Sequence, residues 1–312
     1  MKFSLKRILI LVFSTLLLSG CLFTEEQRVD VLWVNPDPYF GVDHPFVQAG
    51  LPSYVTETDV FRIQDEKEVA LLAAILYHQS IYKFNYVSEN VLSLNKIFAY
   101  MESLLPASFK LSLSELSYTQ QDEVVLTLYA LEIQNVLSYP DDNLEAYTQT
   151  WVDTLINPQD TQTEKIKVLH DNLVMQIHYD TSILDLDLTQ ISSHPSFEAM
   201  GLFLNNTAVC SGYARAFNAL AKEANIPSIM VSSQAMNHAW NLVYDGQTWV
   251  YVDVTFDDPI PDLANKVRYT YFMLNEDKFL KDGKHWFDES SDQTLSASDY
   301  LAFAEYVFNT IP

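Results

Sequence analysis

The run NHAWNLVYDGQTWVYVDVTFDDP, residues 237–259, constrains this chain more than any other stretch. Two segments rich in β-branched and aromatic residues flank Asp245-Gly246, a dipeptide that favours a two-residue type I′ turn. A hairpin about that turn pairs Tyr244 with Gln247, Leu242 with Trp249, Trp240 with Tyr251 and His238 with Asp253. His238 then stands directly opposite Asp253 on one sheet face, where opposed Cβ atoms lie about 4.5–5.5 Å apart. A four-residue loop would leave the two on the same face but diagonal. A slip of one residue would send one of them to the other face and separate them.

A second constraint lies upstream, in NNTAVCSGYARAF. Ala214, Phe217, Leu220, Ala221 and Ala224 recur at helical spacing, and Asn225 followed by Pro227 marks the stop. Cys210 therefore falls at or just before a helix N-terminus, where unpaired N–H groups and the helix dipole favour a thiolate. Those same N–H groups can hold an oxyanion. Each residue alone has a bland reading: a small buried apolar side chain, a satisfied structural histidine, a solvated carboxylate. Together they make one mechanism, in which Asp253 orients His238, His238 takes the proton of Cys210, and Cys210 attacks a carbonyl carbon to form a thioester.

The start of the chain points to export. Lys2, Lys6 and Arg7 precede an apolar run from Ile8 to Leu18, which is too short for a comfortable membrane span, and Leu18-Ser19-Gly20-Cys21 follows. This ending resembles a bacterial lipoprotein processing site and implies lipid on Cys21, with the remainder held outside the cytoplasm at a membrane face. Without residues 1–20 the 18 Lys+Arg become 15 against an unchanged 41 Asp+Glu, a balance of −26. Nucleic acid and anionic headgroups, which demand a basic patch, are excluded as direct partners.

The expected organisation is a signal peptide at 1–20, a Pro-bearing tether at 21–58, a helical and β region at 59–150, and a catalytic domain at 151–312. Residues 65–105 read as helical up to Pro106, and FKLSLSELSY with EVVLTLYALEI read as two strands, the second open to a helical reading. NLEAYTQTWVDTLI is expected as a helix. Thr161 and Glu164 form a capping-box pattern ahead of a helix whose apolar face is Ile166, Leu169, Leu173, Val174 and Ile177.

Four pieces, HDNLVMQIHYD, AVCSGYARAFNALAKEANIP, the hairpin block and YTYFMLN, resemble the transglutaminase-like superfamily over residues 164–275. The resemblance implies an α+β, papain-like core with a helix-borne cysteine packed on an antiparallel sheet. It implies Cys210 as nucleophile, His238 as base and Asp253 as orienting acid, with Tyr213 and Trp240 shaping the cleft. Ala208 and Ser211 depart from the common pattern, and no side chain is assigned as oxyanion donor; the N–H of Cys210 is the candidate. The implied substrate is a protein or peptide, attacked at a peptide or glutamine amide. Hydrolysis is favoured over crosslinking because water needs no dedicated acceptor site, and a non-catalytic binding module on the same fold is the alternative. The reading calls for no cofactor and no metal: His170, His178 and His194 lack paired ligand spacing, and Asp257-Asp258 reads as a solvated turn.

Overall fold

The computed structural model describes residues 60–88, 90–120, 123–136, 143–186, 194–260, 266–288 and 294–308. These lie in one compact unit, Thr56–Pro312. The signal and tether expected at 1–58, and Cys21 with them, lie outside the described residues.

The N-terminal part is a helix pair beside a mixed sheet. Strand β1 (Val60–Arg62) leads into α1 (Glu66–His78), β2 (Lys83–Ser88) and α2 (Leu94–Leu104), followed by β3 (Phe109–Gln120) and β4 (Glu123–Asn135). The sheet order is β1-β2-β4-β3, with β1 parallel to β2 and the other pairings antiparallel. Helix α1 begins where Asp65 accepts hydrogen bonds from the N–H groups of Lys67 and Glu68, satisfying two of the four donors a helix start leaves unpaired. It does not run on as expected. Ser80 takes φ 61°, and Lys83–Ser88 departs as a strand whose alternate residues Phe84, Tyr86 and Ser88 are buried. The period there is 2, not 3.6. The segment open to either reading, EVVLTLYALEI, is a strand.

The second part carries the core that positions the site. Helices α3 (Leu144–Leu155) and α4 (Gln162–Gln176) come first, and the capping box forms at Thr161 and Glu164. Strand β5 (His178–Tyr179) pairs in parallel with β6 (Thr207–Ala208), on either side of α5 (Ala199–Asn205). Helix α6 (Cys210–Glu223) follows at once. Its apolar face (Tyr213, Ala216, Phe217, Leu220 and Ala221) packs with Ile166, Leu169 and Leu173 of α4 in one buried cluster. The antiparallel sheet β7 (Ser228–Ser233), β8 (His238–Tyr244), β9 (Trp249–Val252) lies against α6. The one-turn α7 (Val254–Asp257), α8 (Glu276–Leu280) and α9 (Ala297–Phe308) complete the described residues. Among these no helix is long and apolar enough to cross a membrane.

The hairpin register differs from expectation. Tyr244 pairs with Trp249 and Leu242 with Tyr251, so the loop holds Asp245 to Thr248, four residues rather than two. The Asp245 side chain accepts from the N–H groups of Gln247 and Thr248, both at 2.8 Å. An Asx turn thus replaces the type I′ turn. The shift is an even number of residues, so the face of every side chain is kept.

Two buttresses tie the first part to α6. Arg215, buried on α6, donates to Glu102 Oε1 of α2 at 3.0 Å and to the carbonyl of Phe197 at 2.5 Å. Asn218 donates to the carbonyl of Ser103 at 3.0 Å.

Candidate active site

Cys210 is the first residue of α6, with Val209 as its cap. The carbonyl of Ser196 accepts the Val209 N–H at 3.0 Å and fixes the entry of the chain into the helix. That carbonyl lies so close to α6 that a Cβ on Gly212 would sit 2.2 Å from its oxygen. Glycine at 212 is therefore what lets the segment before α6 hold the start of the helix. Cys210 is partly exposed, and its N–H has no carbonyl one turn back to bond.

His238 opens β8, and Asp253 directly follows β9 as the cap of α7. The longer loop makes them diagonal, yet His238 Nε2 lies 2.7 Å from Asp253 Oδ2. Long side chains bridge diagonal neighbours on one face. The ring stacks on Phe256, with centroids 4.2 Å apart, and the Cys210 sulfur is near enough to act on its charge. Burial works against a charge on this ring. The Asp253 carboxylate and the Cys210 sulfur outweigh it and raise His238 to about 10. Asp253 is wholly buried, which by itself would favour the neutral acid; the hydrogen bonds and charge of the two histidine rings against it bring it down to about 2. Its Oδ1 also accepts the Phe256 N–H at 3.0 Å.

The second ring is His285, which sequence reasoning missed. Its Nε2 lies 2.8 Å from the same Asp253 Oδ2. It follows Asp253 by 32 residues, in a polar loop with no periodic pattern to place it. By donor type His238, Asp253 and His285 could hold a cation. Their facing atoms, however, are already at hydrogen-bond distance from one another, and an ion about 2.0–2.1 Å from each nitrogen would have to push them apart.

Tyr213 and Trp240 were expected to shape the cleft. Each is only 1% exposed, so what they give the site is packing from behind. Tyr213 donates to Asp258 Oδ2 at 2.7 Å, and Trp240 packs behind His238 against Phe279, His285 and Phe287. Asp257 and Asp258 are buried rather than solvated. Asp257 accepts the N–H groups of Thr270 and Tyr271, and His170 Nε2 lies 3.3 Å from it. Tyr179, set beside Ala208 by strand pairing, is a second side chain that sequence reasoning did not single out. Burial raises its phenol, and the nearby Cys210 adds to that.

Residues 149–254 match the family model of the transglutaminase-like superfamily. Among solved structures, the chain is similar to a Cytophaga hutchinsonii protein assigned provisionally as a cysteine protease, at 14% identity and a TM-score of 0.28, over 50% of this chain and 67% of that one. It is also similar to a structure described as a TGase, at 13% identity and a TM-score of 0.22, over 57% of this chain and about half (52%) of that one. A comparison with curated proteins returns no match.

Proposed function

From the transglutaminase-like domain at residues 149–254, we propose that this chain is a thiol acyl-transfer enzyme acting on peptide or glutamine amide bonds. The observation that carries the proposal is a His238 ring that bonds a fully buried, ionised Asp253 at 2.7 Å and interacts electrostatically with Cys210. A ring that holds its proton up to about pH 10 can keep the proton the thiol yields. The sulfur then attacks the carbonyl carbon, and a C–S bond forms as the amide C–N bond breaks. His238 delivers the proton to the leaving amine. Water or a second amine attacks the thioester and passes its proton to His238, and the sulfur leaves as thiolate. The oxyanion of each tetrahedral intermediate falls to the Cys210 N–H at the head of α6, with the Tyr179 hydroxyl as the proposed side-chain donor.

Hydrolysis is the favoured outcome, because water needs no acceptor site, and the substrate is a protein or peptide. Lipid on Cys21 would tether the enzyme outside the cytoplasm, so Cys21→Ser should release it from membranes. The reaction is tested with a glutamine-peptide library and a labelled amine, read by mass. Incorporated amine means crosslinking. Cleavage or a one-dalton gain means hydrolysis, and no change in any peptide speaks for a binding module and against the proposal.

A further inference from the structure

We infer that His285 is a positioning residue of this site, holding the Asp253 carboxylate as a second imidazole on the oxygen that His238 uses. The inference rests on the thiol-enzyme reading and deepens it.

The geometry is specific. His285 Nε2 and His238 Nε2 lie 2.8 and 2.7 Å from the same Oδ2. The side chains of His285 and Asp253 are both fully shielded. Around the His285 ring stand Phe279, Tyr271, Phe256 and Trp240, with centroids 3.9, 4.8, 5.0 and 5.1 Å away. Its Nδ1 is buried with no hydrogen-bond partner among the described residues. An aromatic or aliphatic side chain would fill such a cage without stranding a polar atom. Its only hydrogen bond among the described residues is the one to Asp253, and Asp282 also interacts with it electrostatically. The titratable groups packed on it are Asp253, His238 and Tyr271, whose hydroxyl is turned to Asp282 at 2.7 Å.

The effect on the site follows from counting donors. Asp253 receives the Phe256 N–H on Oδ1 and two imidazole N–H groups on Oδ2. Three donors in different directions fix both the plane of the carboxylate and its ionised state without any water. Without His285, the Asp253 carboxylate loses the contact that keeps it from turning, and its hold on the His238 proton weakens.

The test uses the full chain. Cys210 alkylation by iodoacetamide is measured against pH, and the ring protons are followed by NMR, in the wild type, His285→Phe and His285→Gln. The phenylalanine keeps the packing and removes the donor; the glutamine amide restores an N–H near the same place. The expected results are a roughly tenfold slower alkylation in His285→Phe, a downward shift of the His238 titration by about one unit as Asp253 turns from the ring, and recovery of both in His285→Gln. Unchanged alkylation and titration in His285→Phe, or a loss that His285→Gln does not repair, would overturn the inference. If His285→Phe does not fold, the wild type decides. Its His285 Nε2–H must appear as a slowly exchanging downfield resonance that moves when Cys210 is alkylated; a resonance that is absent or indifferent refutes the role. Should wild-type alkylation be slow and unaffected by His238→Ala, the thiol-enzyme reading itself has failed, and this inference falls with it. Fast, His238-dependent alkylation that His285→Phe leaves unchanged removes only His285.

Discussion

Gly212→Ala tests how the nucleophile is placed. The added Cβ would lie 2.2 Å from the Ser196 carbonyl oxygen and 3.0 Å from the Ala208 Cβ. The shortest ordinary C···O contact is about 3.3 Å, so the oxygen or the helix must withdraw by about 1 Å. The neighbour is backbone, and the same carbonyl holds the Val209 N–H at 3.0 Å. Either response moves the first turn of α6, which carries Cys210, relative to His238 on the sheet. Overpacking of this kind costs about 1–3 kcal/mol, and alanine recovers about 1 kcal/mol over glycine in a helix. The net loss of about 0–2 kcal/mol should lower Tm by at most a few degrees in a unit of this size. Misplacing the sulfur by about 1 Å, in contrast, can cost about 100-fold in rate. Thermal melts and the rate of amide turnover, measured side by side, should show a mild stability loss with a large rate loss. Turnover within about threefold of wild type, against that 100-fold expectation, would refute the argument that Ser196 and Gly212 set the position of Cys210.

Three further predictions concern the groups around it. Asp253→Asn keeps the shape but leaves a donor facing a donor at one carboxamide position, because both carboxylate oxygens accept N–H groups; the His238 titration should fall from about 10 toward its ordinary value, as read by NMR. Wild-type stability should show the matching pH window. The His238 share is complete below about 6.5 and disappears as pH rises to about 10, while the Asp253 share is present above about 3.8 and disappears as pH falls through about 2. Melts against pH should therefore be flatter at both ends in Asp253→Asn. Arg215→Met strands the Phe197 carbonyl and Glu102 at the α2–α6 junction, and chemical denaturation should register a loss of about 2–4 kcal/mol. Tyr179→Phe should lower amide turnover about 10–100-fold and leave iodoacetamide alkylation of Cys210 unchanged, since only a carbonyl substrate presents an oxyanion.

Much of this site was legible in the chain because its signals are local. The spacing of Ala214, Phe217, Leu220 and Ala221 places Cys210 at a helix start, and the alternation on either side of Asp245-Gly246 puts His238 and Asp253 on one face. The turn was misjudged by two residues because the Asp245 side chain builds its own loop; parity protected the conclusion. Strand β2 was hidden behind the strongly helical α1, where nothing in composition marks the break at Ser80. His285 and Tyr179 were not legible as partners of the site. Each arrives by tertiary packing, His285 on an irregular loop and Tyr179 on a two-residue strand, and neither carries a periodic pattern. Tyr213 and Trp240 lie beside the site as buried side chains, since aromatics of this size bury themselves when a core is available.

The central claim is that Cys210 is a nucleophile held ready by His238. The most direct measurement is intact mass of the full chain after brief treatment with iodoacetamide near neutral pH, with the adduct located by peptide mapping so that Cys21 is counted separately. The account predicts rapid single alkylation at Cys210 in the wild type, slowed at least about tenfold in His238→Ala. Equal, slow alkylation of Cys210 in both proteins would contradict it.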